Sequence, residues 1–320
     1  MIQNLLGVDI GGTKCAVIWG VDRDGELEIK EKVKFDTTGK DETLERILGE
    51  VKAMAQRHDL NQENTRAVGI SCGGPLDSRT GVILSPPNLP GWDKVPIVKM
   101  VEEAVGIRAI LQNDANACAL AEWKYGAGKG TRNMVFLTFG TGMGAGLVLD
   151  GKLYAGTNDN AGEAGHMRLS DFGPVGYGKA GSFEGFASGG GIAQLGQMAA
   201  KEQLMMGRSV SWAPGGDISS ITAKTVAEAA AAGDELAKGV YRTSAEYLGR
   251  ALSILIDILN PEAIVIGSIF VRAEELIRPF MQAAIDREAL PAAAAVCRII
   301  PAGLGEAIGD IASLSIAASC

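Results

Sequence analysis

Only two of the 320 residues are histidine, only 5% are aromatic, and no two of the five cysteines form a C-x-x-C pair. Cys15, Cys72, Cys118, Cys297 and Cys320 are an odd number at wide spacing, which reads as reduced thiols of a cytosolic protein, not a disulfide framework. Positive charge is also in short supply: Lys+Arg number 30 against 38 Asp+Glu, a net charge of −8. Such a chain suits neither a phosphate backbone nor an anionic membrane surface, and it offers few rings on which bases could stack. Neither nucleic acid nor a membrane is expected as a partner. Long apolar runs are lacking too. Residues 251–266 come nearest, but they contain Asp257, Asn260, Pro261 and Glu262 and cannot span a bilayer. The opening residues Met1 to Leu6 carry no basic stretch and reach Asp9 quickly, so no secretory leader is expected and the location reads as cytoplasmic.

Glycine, by contrast, is abundant, at 43 of 320 residues, where a typical share is about 7%. No Gly-X-Y period accompanies it, so the surplus points to tight turns and backbone-lined ligand loops. A length of 320 residues suggests about two domains at roughly 150 residues each.

Two glycine turns organise the pattern. The apolar run Leu5 to Ile10 stops at Gly11-Gly12-Thr13 and resumes at Cys15 to Trp19, a strand, turn and strand. The same arrangement returns where Met134 to Phe139 meets Gly140 to Gly146 and leaves through Leu147 to Leu149. Between them, Leu44, Ile47, Leu48, Val51, Met54 and Ala55 have helical spacing, and Ala67 to Cys72 is a strand that breaks at Gly73-Gly74-Pro75. Pro86, Pro87 and Pro90 make residues 85–92 a loop. A helical face at Ile97 to Val105, a strand at Ile107 to Leu111 and a helix from about Ala115 to Tyr125 follow. Residues 156–191 read as functional loops or a lid, and helices are expected from about 192, notably near 223–238 and 240–259. The strand Ala263 to Ile266 ends at Gly267, and a helix closes the chain around Asp310 to Ala318. Strands alternating with helices predict an α/β fold with mostly parallel sheets.

Backbone N–H groups in a glycine turn can cradle an anion, and a carboxylate just before such a turn, here Asp9, can hold Mg²⁺ directly or through water. The plainer reading of either turn is a tight hairpin. Gly140, Gly142 and Ala145 also satisfy a dinucleotide fingerprint, but that motif needs a helix after the glycines, and Leu147-Val148-Leu149 reads as a strand. No G-x-x-x-x-G-K-[ST] occurs. Asp114 ends a strand and precedes a helix, so it is either a helix cap or a general base at the carboxyl end of a strand. Glu163 and His166, in Gly162-Glu163-Ala164-Gly165-His166, could converge polar groups on a ligand, the plainer reading being a structural histidine; Glu184, in Ser182-Phe183-Glu184-Gly185-Phe186, reads on its own as a capping or solvated carboxylate.

Five stretches in this order resemble the ROK (repressor, open reading frame, kinase) family of sugar kinases: Gly7 to Thr13, Asn88 to Trp92, Asn113 to Asn116, Gly140 to Gly144 and Gly162 to His166. The resemblance implies an actin/hexokinase-like ATPase fold with two ribonuclease-H-like lobes and a nucleotide and sugar cleft between them. The lobes would be residues 1–113, completed by a helix at 307–320, and residues 114–306. It implies Asp114 as the base that takes a proton from a sugar hydroxyl. Gly74, Asn88, Asn113, Glu163, His166 and Glu184 would meet the sugar. Asp9, Gly11, Gly12, Thr13, Lys14, Gly140, Thr141 and Gly142 would hold ATP and its Mg²⁺, and Gly267 would approach the adenosine. Ser268 stands where the family usually has a second glycine. Most family members also carry three cysteines that bind a structural zinc together with the histidine; here Val175, Tyr177 and Ser182 occupy those positions, so no zinc is expected. A homodimer is implied as well. The family also contains sugar-sensing regulators, and a catalytically inactive sugar-binding protein is a further alternative.

Overall fold

The computed structural model describes residues Ile2–Cys320, which form two compact units. The first unit takes the chain up to Arg132, then Gly146–Ala161 and Gly303–Cys320. Its sheet has five strands in the order Glu26–Asp36, Lys14–Arg23, Ile2–Ile10, Thr65–Cys72, Ala109–Asn113. The first three are antiparallel and the last two run parallel to Ile2–Ile10. Ile2–Ile10 is central and its residues Leu5, Leu6 and Val8 are fully buried, as a strand covered on both faces must be. On one face the helix Lys40–Arg57 lays Leu44, Ile47, Val51 and Met54 against Val8, Val17 and Ile70. On the other, the helix Ile308–Ala317 packs Leu314 and Ala317 on Leu5, Ile18 and Ala67. Gly7 and Gly69 make that second packing possible: a Cβ on either would collide with Ser313 of the helix.

The second unit comprises Asn133–Ala145 and Gly162–Ala302. Three parallel strands, Met134–Leu137, Ala263–Ile266 and Arg298–Pro301, pair with Val265 opposite both Phe136 and Ile300. Four longer helices accompany them: Gly189–Met205, Ala223–Ala231, Glu235–Leu259 and Ile269–Glu288. The break between the second and third falls at Ala232–Asp234, earlier than the sequence pattern predicts. Gly233 adopts φ +98 and Asp234 accepts the Ala237 amide at 2.9 Å, a helix stop followed at once by a cap. Gly239, the apparent breaker, lies inside a helix with nothing near its missing side chain.

Residues 156–191 hold short elements, a 3₁₀ turn at Ala164–His166, a hairpin of Val175–Gly176 with Lys179–Ala180 and one helical turn at Phe183–Phe186, before the long helix begins at Gly189. The chain leaves the second glycine turn as the strand Ala145–Leu149. A strand there is incompatible with the dinucleotide fingerprint, as the sequence indicated.

Candidate functional site

In the first unit the central strand ends at Ile10, and the turn after it is fastened from outside. Gly11 N–H donates to the Lys14 carbonyl at 3.1 Å, Thr37 N–H to the Thr13 carbonyl at 2.9 Å, and Thr37 Oγ1 to the Gly11 carbonyl at 2.6 Å. Gly12 and Thr13 remain exposed at the tip. Gly12 is glycine for a steric reason: a Cβ there would lie 2.5 Å from the Asn88 carbonyl oxygen. Asn88 also borders Gly73, at 3.5 Å from where its Cβ would be, and Gly74 borders the Asn113 amide at 3.4 Å. The proline-rich loop, the turn after Thr65–Cys72 and the end of Ala109–Asn113 thus meet around the first glycine turn.

Asn113 caps the helix Asp114–Tyr125, its Oδ1 accepting from Ala115 N–H at 2.9 Å. Asp114 is the first helical residue and its Oδ1 also accepts from Ala115 N–H, at 2.8 Å. The residue as a whole is exposed. Protein nonetheless crowds the carboxyl, and this desolvation raises its pKa above the usual carboxylate range.

Asp9 is half-buried, with Gly309 beside its Oδ2 at Cβ distance 3.5 Å. Burial, then the neighbouring Asp310, then Asp114 push its pKa up to about 7, against the pull of Lys32 and Lys34. Lys32 is itself engaged with Asp310 at 2.6 Å. Acidic groups gathered at the end of a strand suit a hard divalent cation. Among the described residues no three His, Cys, Asp or Glu side chains are grouped to hold a metal ion by themselves. A Mg²⁺ at Asp9 would therefore share its coordination with phosphate and water, as Mg²⁺ commonly does.

In the second unit the glycine turn is gripped by helix starts. Gly189 N–H donates to the Gly140 carbonyl at 2.8 Å and Gly190 N–H to the Thr141 carbonyl at 3.1 Å. Both donors open the helix Gly189–Met205, capped by Ser188, whose Oγ accepts from Gly191 N–H at 2.9 Å. Ile269, the start of a second long helix, donates to the Phe139 carbonyl at 3.1 Å. The starts of two helices and the glycine turn thereby converge, with the N–H groups of Gly189, Gly190, Gly191 and Ile269 spent on protein acceptors and only the helix dipoles left to favour an anion. They border a cavity of about 760 Å³ whose walls include Gly140, Thr141, Ala223, Tyr241, Ser268 and Arg272. Ser268 lines the cavity directly, whereas Gly267 lies one residue back, 3.3 Å at its Cβ position from the Thr138 carbonyl. Ser268 adopts φ 51, ψ −106, a conformation that favours glycine.

Glu184 braces the same turn. Its Oε2 accepts the Met143 amide at 2.9 Å and lies 2.8 Å from where a Gly142 Cβ would be. The Glu163–His166 turn joins the assembly through Gly165, which presses on the Met143 carbonyl and has Glu184 Cβ 3.4 Å from its own Cβ position. Glu163 is exposed and His166 is half-buried. Sequence reasoning reached these residues but not Thr37, Lys32, Asp310 or Arg272. Thr37, Lys32 and Asp310 stand far along the chain from the motifs they serve, and Arg272, close to Ser268, lies on a helix with no motif of its own.

The ROK family model matches residues 5–319. A glucokinase from Halalkalibacterium halodurans is 33% identical over 96% of this chain and 92% of its own. The transcriptional repressor Mlc of Escherichia coli is 28% identical over 85% of this chain and 63% of its own. A glucokinase from Streptomyces griseus, solved with glucose and AMPPNP, superposes with a TM-score of 0.74 and 29% identity, covering 99% of this chain and all of that one.

Proposed function

Because this chain belongs to the ROK family and has the actin/hexokinase-like α/β fold of its kinases, we propose that it is an ATP-dependent sugar kinase. It transfers the γ-phosphoryl group to a hydroxyl of a hexose or N-acetylhexosamine. The observation that carries the reading is the division of labour at residues 113 and 114: Asn113 serves as the helix cap, and Asp114, an exposed residue, carries a carboxyl whose pKa is raised by desolvation. A base whose pKa lies closer to neutrality is a better proton acceptor in the transition state.

Asp114 takes the sugar hydroxyl proton as that oxygen bonds to the γ-phosphorus and the bond to the β-phosphate oxygen breaks. Mg²⁺·ATP supplies the phosphoryl group and the cation that neutralises its charge. Asp9 would hold that cation, and the glycine turns at Gly11 to Lys14 and Gly140 to Gly142 would offer N–H groups to phosphate oxygens, except those of Gly11 and Gly140, which donate to the Lys14 and Gly142 carbonyls. The 760 Å³ cavity, mostly apolar and bounded by helix starts, takes the nucleoside. Gly74, Asn88, Asn113, Glu163 and His166 orient the sugar, and Glu184 serves them by fixing Met143. In this reading the enzyme works in the cytoplasm as a homodimer on small molecules, with no nucleic acid or membrane partner.

The similarity to Mlc supports a second reading, a sugar-sensing regulator. A coupled ADP-release assay over a panel of hexoses and N-acetylhexosamines separates the two. Sugar-dependent ADP release supports the kinase; sugar binding without any release supports the regulator.

A further inference from the structure

Tyr177 lies at the tip of the hairpin formed by Val175–Gly176 and Lys179–Ala180. The tip is a two-residue turn with φ +43 at Tyr177 and +76 at Gly178, the left-handed pair that hairpins favour. Asparagine or glycine is the ordinary choice at the first position; a bulky aromatic there is uncommon and strained. The ring gains little burial in return, being 72% exposed. Among the described residues its ring partner is His166, met edge-on at 5.2 Å between centroids and 80° between planes. Strain retained at so exposed a ring points to a role for its contact with His166.

The hairpin is rigid enough to make the contact count. Gln194, on the helix Gly189–Met205, accepts from Val175 N–H at 2.9 Å and donates to the Val175 carbonyl at 2.8 Å. Gly176 is pressed against the Gly185 amide, 2.6 Å from where its Cβ would be. From the returning strand, Lys179 Nζ donates to the His166 carbonyl at 2.6 Å. The backbone of His166 is thus held by Lys179 and its ring by Tyr177, both from one anchored hairpin. Aromatic pairs prefer this edge-to-face geometry over a parallel sandwich.

We infer that Tyr177 is a positioning residue: it fixes the plane of the His166 imidazole so that its ring nitrogens meet the sugar in one orientation. The inference rests on the proposed sugar contact of His166. Tyr177→Asn removes the ring while leaving a residue that suits the turn, so the hairpin persists; Tyr177→Phe keeps the ring and loses only the hydroxyl.

With glucose and N-acetylmannosamine as the sugars tried, Tyr177→Asn should raise the sugar KM about two- to tenfold, the range an aromatic pair supports. Its kcat and its KM for ATP should stay near wild type, and Tyr177→Phe should behave as wild type. An NMR readout is independent of turnover, because only two histidines exist. The His166 ring signals of the sugar-free protein should move in Tyr177→Asn and hold in Tyr177→Phe. His58, stacked on Trp19 at 4.0 Å, is the internal control that should not move. Unmoved His166 signals in Tyr177→Asn, or equal KM changes in both variants, overturn the inference. Moved signals with an unchanged sugar KM also overturn it, and His166→Ala then locates the fault. If His166→Ala leaves the sugar KM unchanged, the sugar contact of His166 itself has failed; if it raises KM, that contact stands and only Tyr177 was misassigned.

Discussion

Asn113 and Asp114 stand side by side, and both accept the same Ala115 amide, at 2.9 and 2.8 Å. Only Asn113 also reaches Asn116 N–H, at 3.5 Å, and it alone has the extended backbone of a cap. The two residues should therefore separate cleanly on mutation. Asp114→Asn should lower kcat by roughly 10²–10⁴-fold with little change in sugar affinity or melting temperature. Asn113→Ala should cost about 1 kcal/mol of stability through the lost cap. Near-normal turnover in Asp114→Asn would reduce Asp114 to a helix-start residue.

Asp9 gives a pH signature. Its pKa is raised to about 7 by burial, Asp310 and Asp114, so the folded state holds a proton that the unfolded chain releases above the ordinary carboxylate pKa. Raising pH between those two values therefore works against folding, and the cost stops growing once Asp9 is ionised in the folded state. Asp9→Asn should stabilise the nucleotide-free protein more near pH 8 than near pH 5, measured by denaturant unfolding. Mg²⁺·ATP affinity of the wild type should rise as pH passes through about 7, since ionising Asp9 creates the cation's ligand. A stabilisation independent of pH would contradict the assignment.

Ser268 holds φ 51, ψ −106 beside the cavity, with its Oγ accepting from Arg272 at 3.2 Å. Backbone strain of this kind is worth about 1–3 kcal/mol, more than the exposed hydrogen bond returns. Ser268→Gly should therefore stabilise the protein by about 1 kcal/mol after the entropy cost of glycine. Destabilisation in a thermal melt would show that the Arg272 bond outweighs the strain.

No structural zinc is expected. Val175 and Tyr177 are exposed hairpin residues, and the Ser182 hydroxyl is spent on capping the Phe183–Phe186 turn, accepting from Gly185 N–H at 3.1 Å. Thiolate is absent from this segment, and zinc sites are built from thiolate and imidazole. Elemental analysis of tag-free protein should find far less than one zinc per chain, and a chelator should leave the melting temperature unchanged. One zinc per chain, lost together with thermal stability, would mean this loop has been misread.

Much of the fold was legible because its signals are local. Glycine turns that interrupt apolar runs mark Ile10 and Phe139, and helical spacing marks Leu44 to Ala55 whatever the rest of the chain does. Harder to see was the edge strand Glu26–Asp36, in which Leu27, Ile29, Val33 and Phe35 are separated by charged residues and never form an apolar run. The helix break at Gly233 was misplaced because Gly239 is an equally good breaker by sequence; the Asp234 cap decides between them. At the candidate site, the motif residues Asp9, Asn88 and Asn113 stood out in the sequence, with their roles given by the resemblance. The setting that changes their chemistry did not: Asp310, which raises the Asp9 pKa, arrives from the far end of the chain on a helix packed over Gly7 and Gly69.

The most direct test of the kinase assignment follows the phosphoryl group itself. ATP labelled in its γ-phosphate is incubated with Mg²⁺ and each sugar of the panel, and the label is traced for the wild type and Asp114→Asn. With at least one sugar, the wild type should move label to the sugar in step with ADP formation, and Asp114→Asn should do so at least about 100-fold more slowly. Sugar that binds the wild type tightly yet never acquires label would contradict the account and leave a sugar-sensing protein in its place.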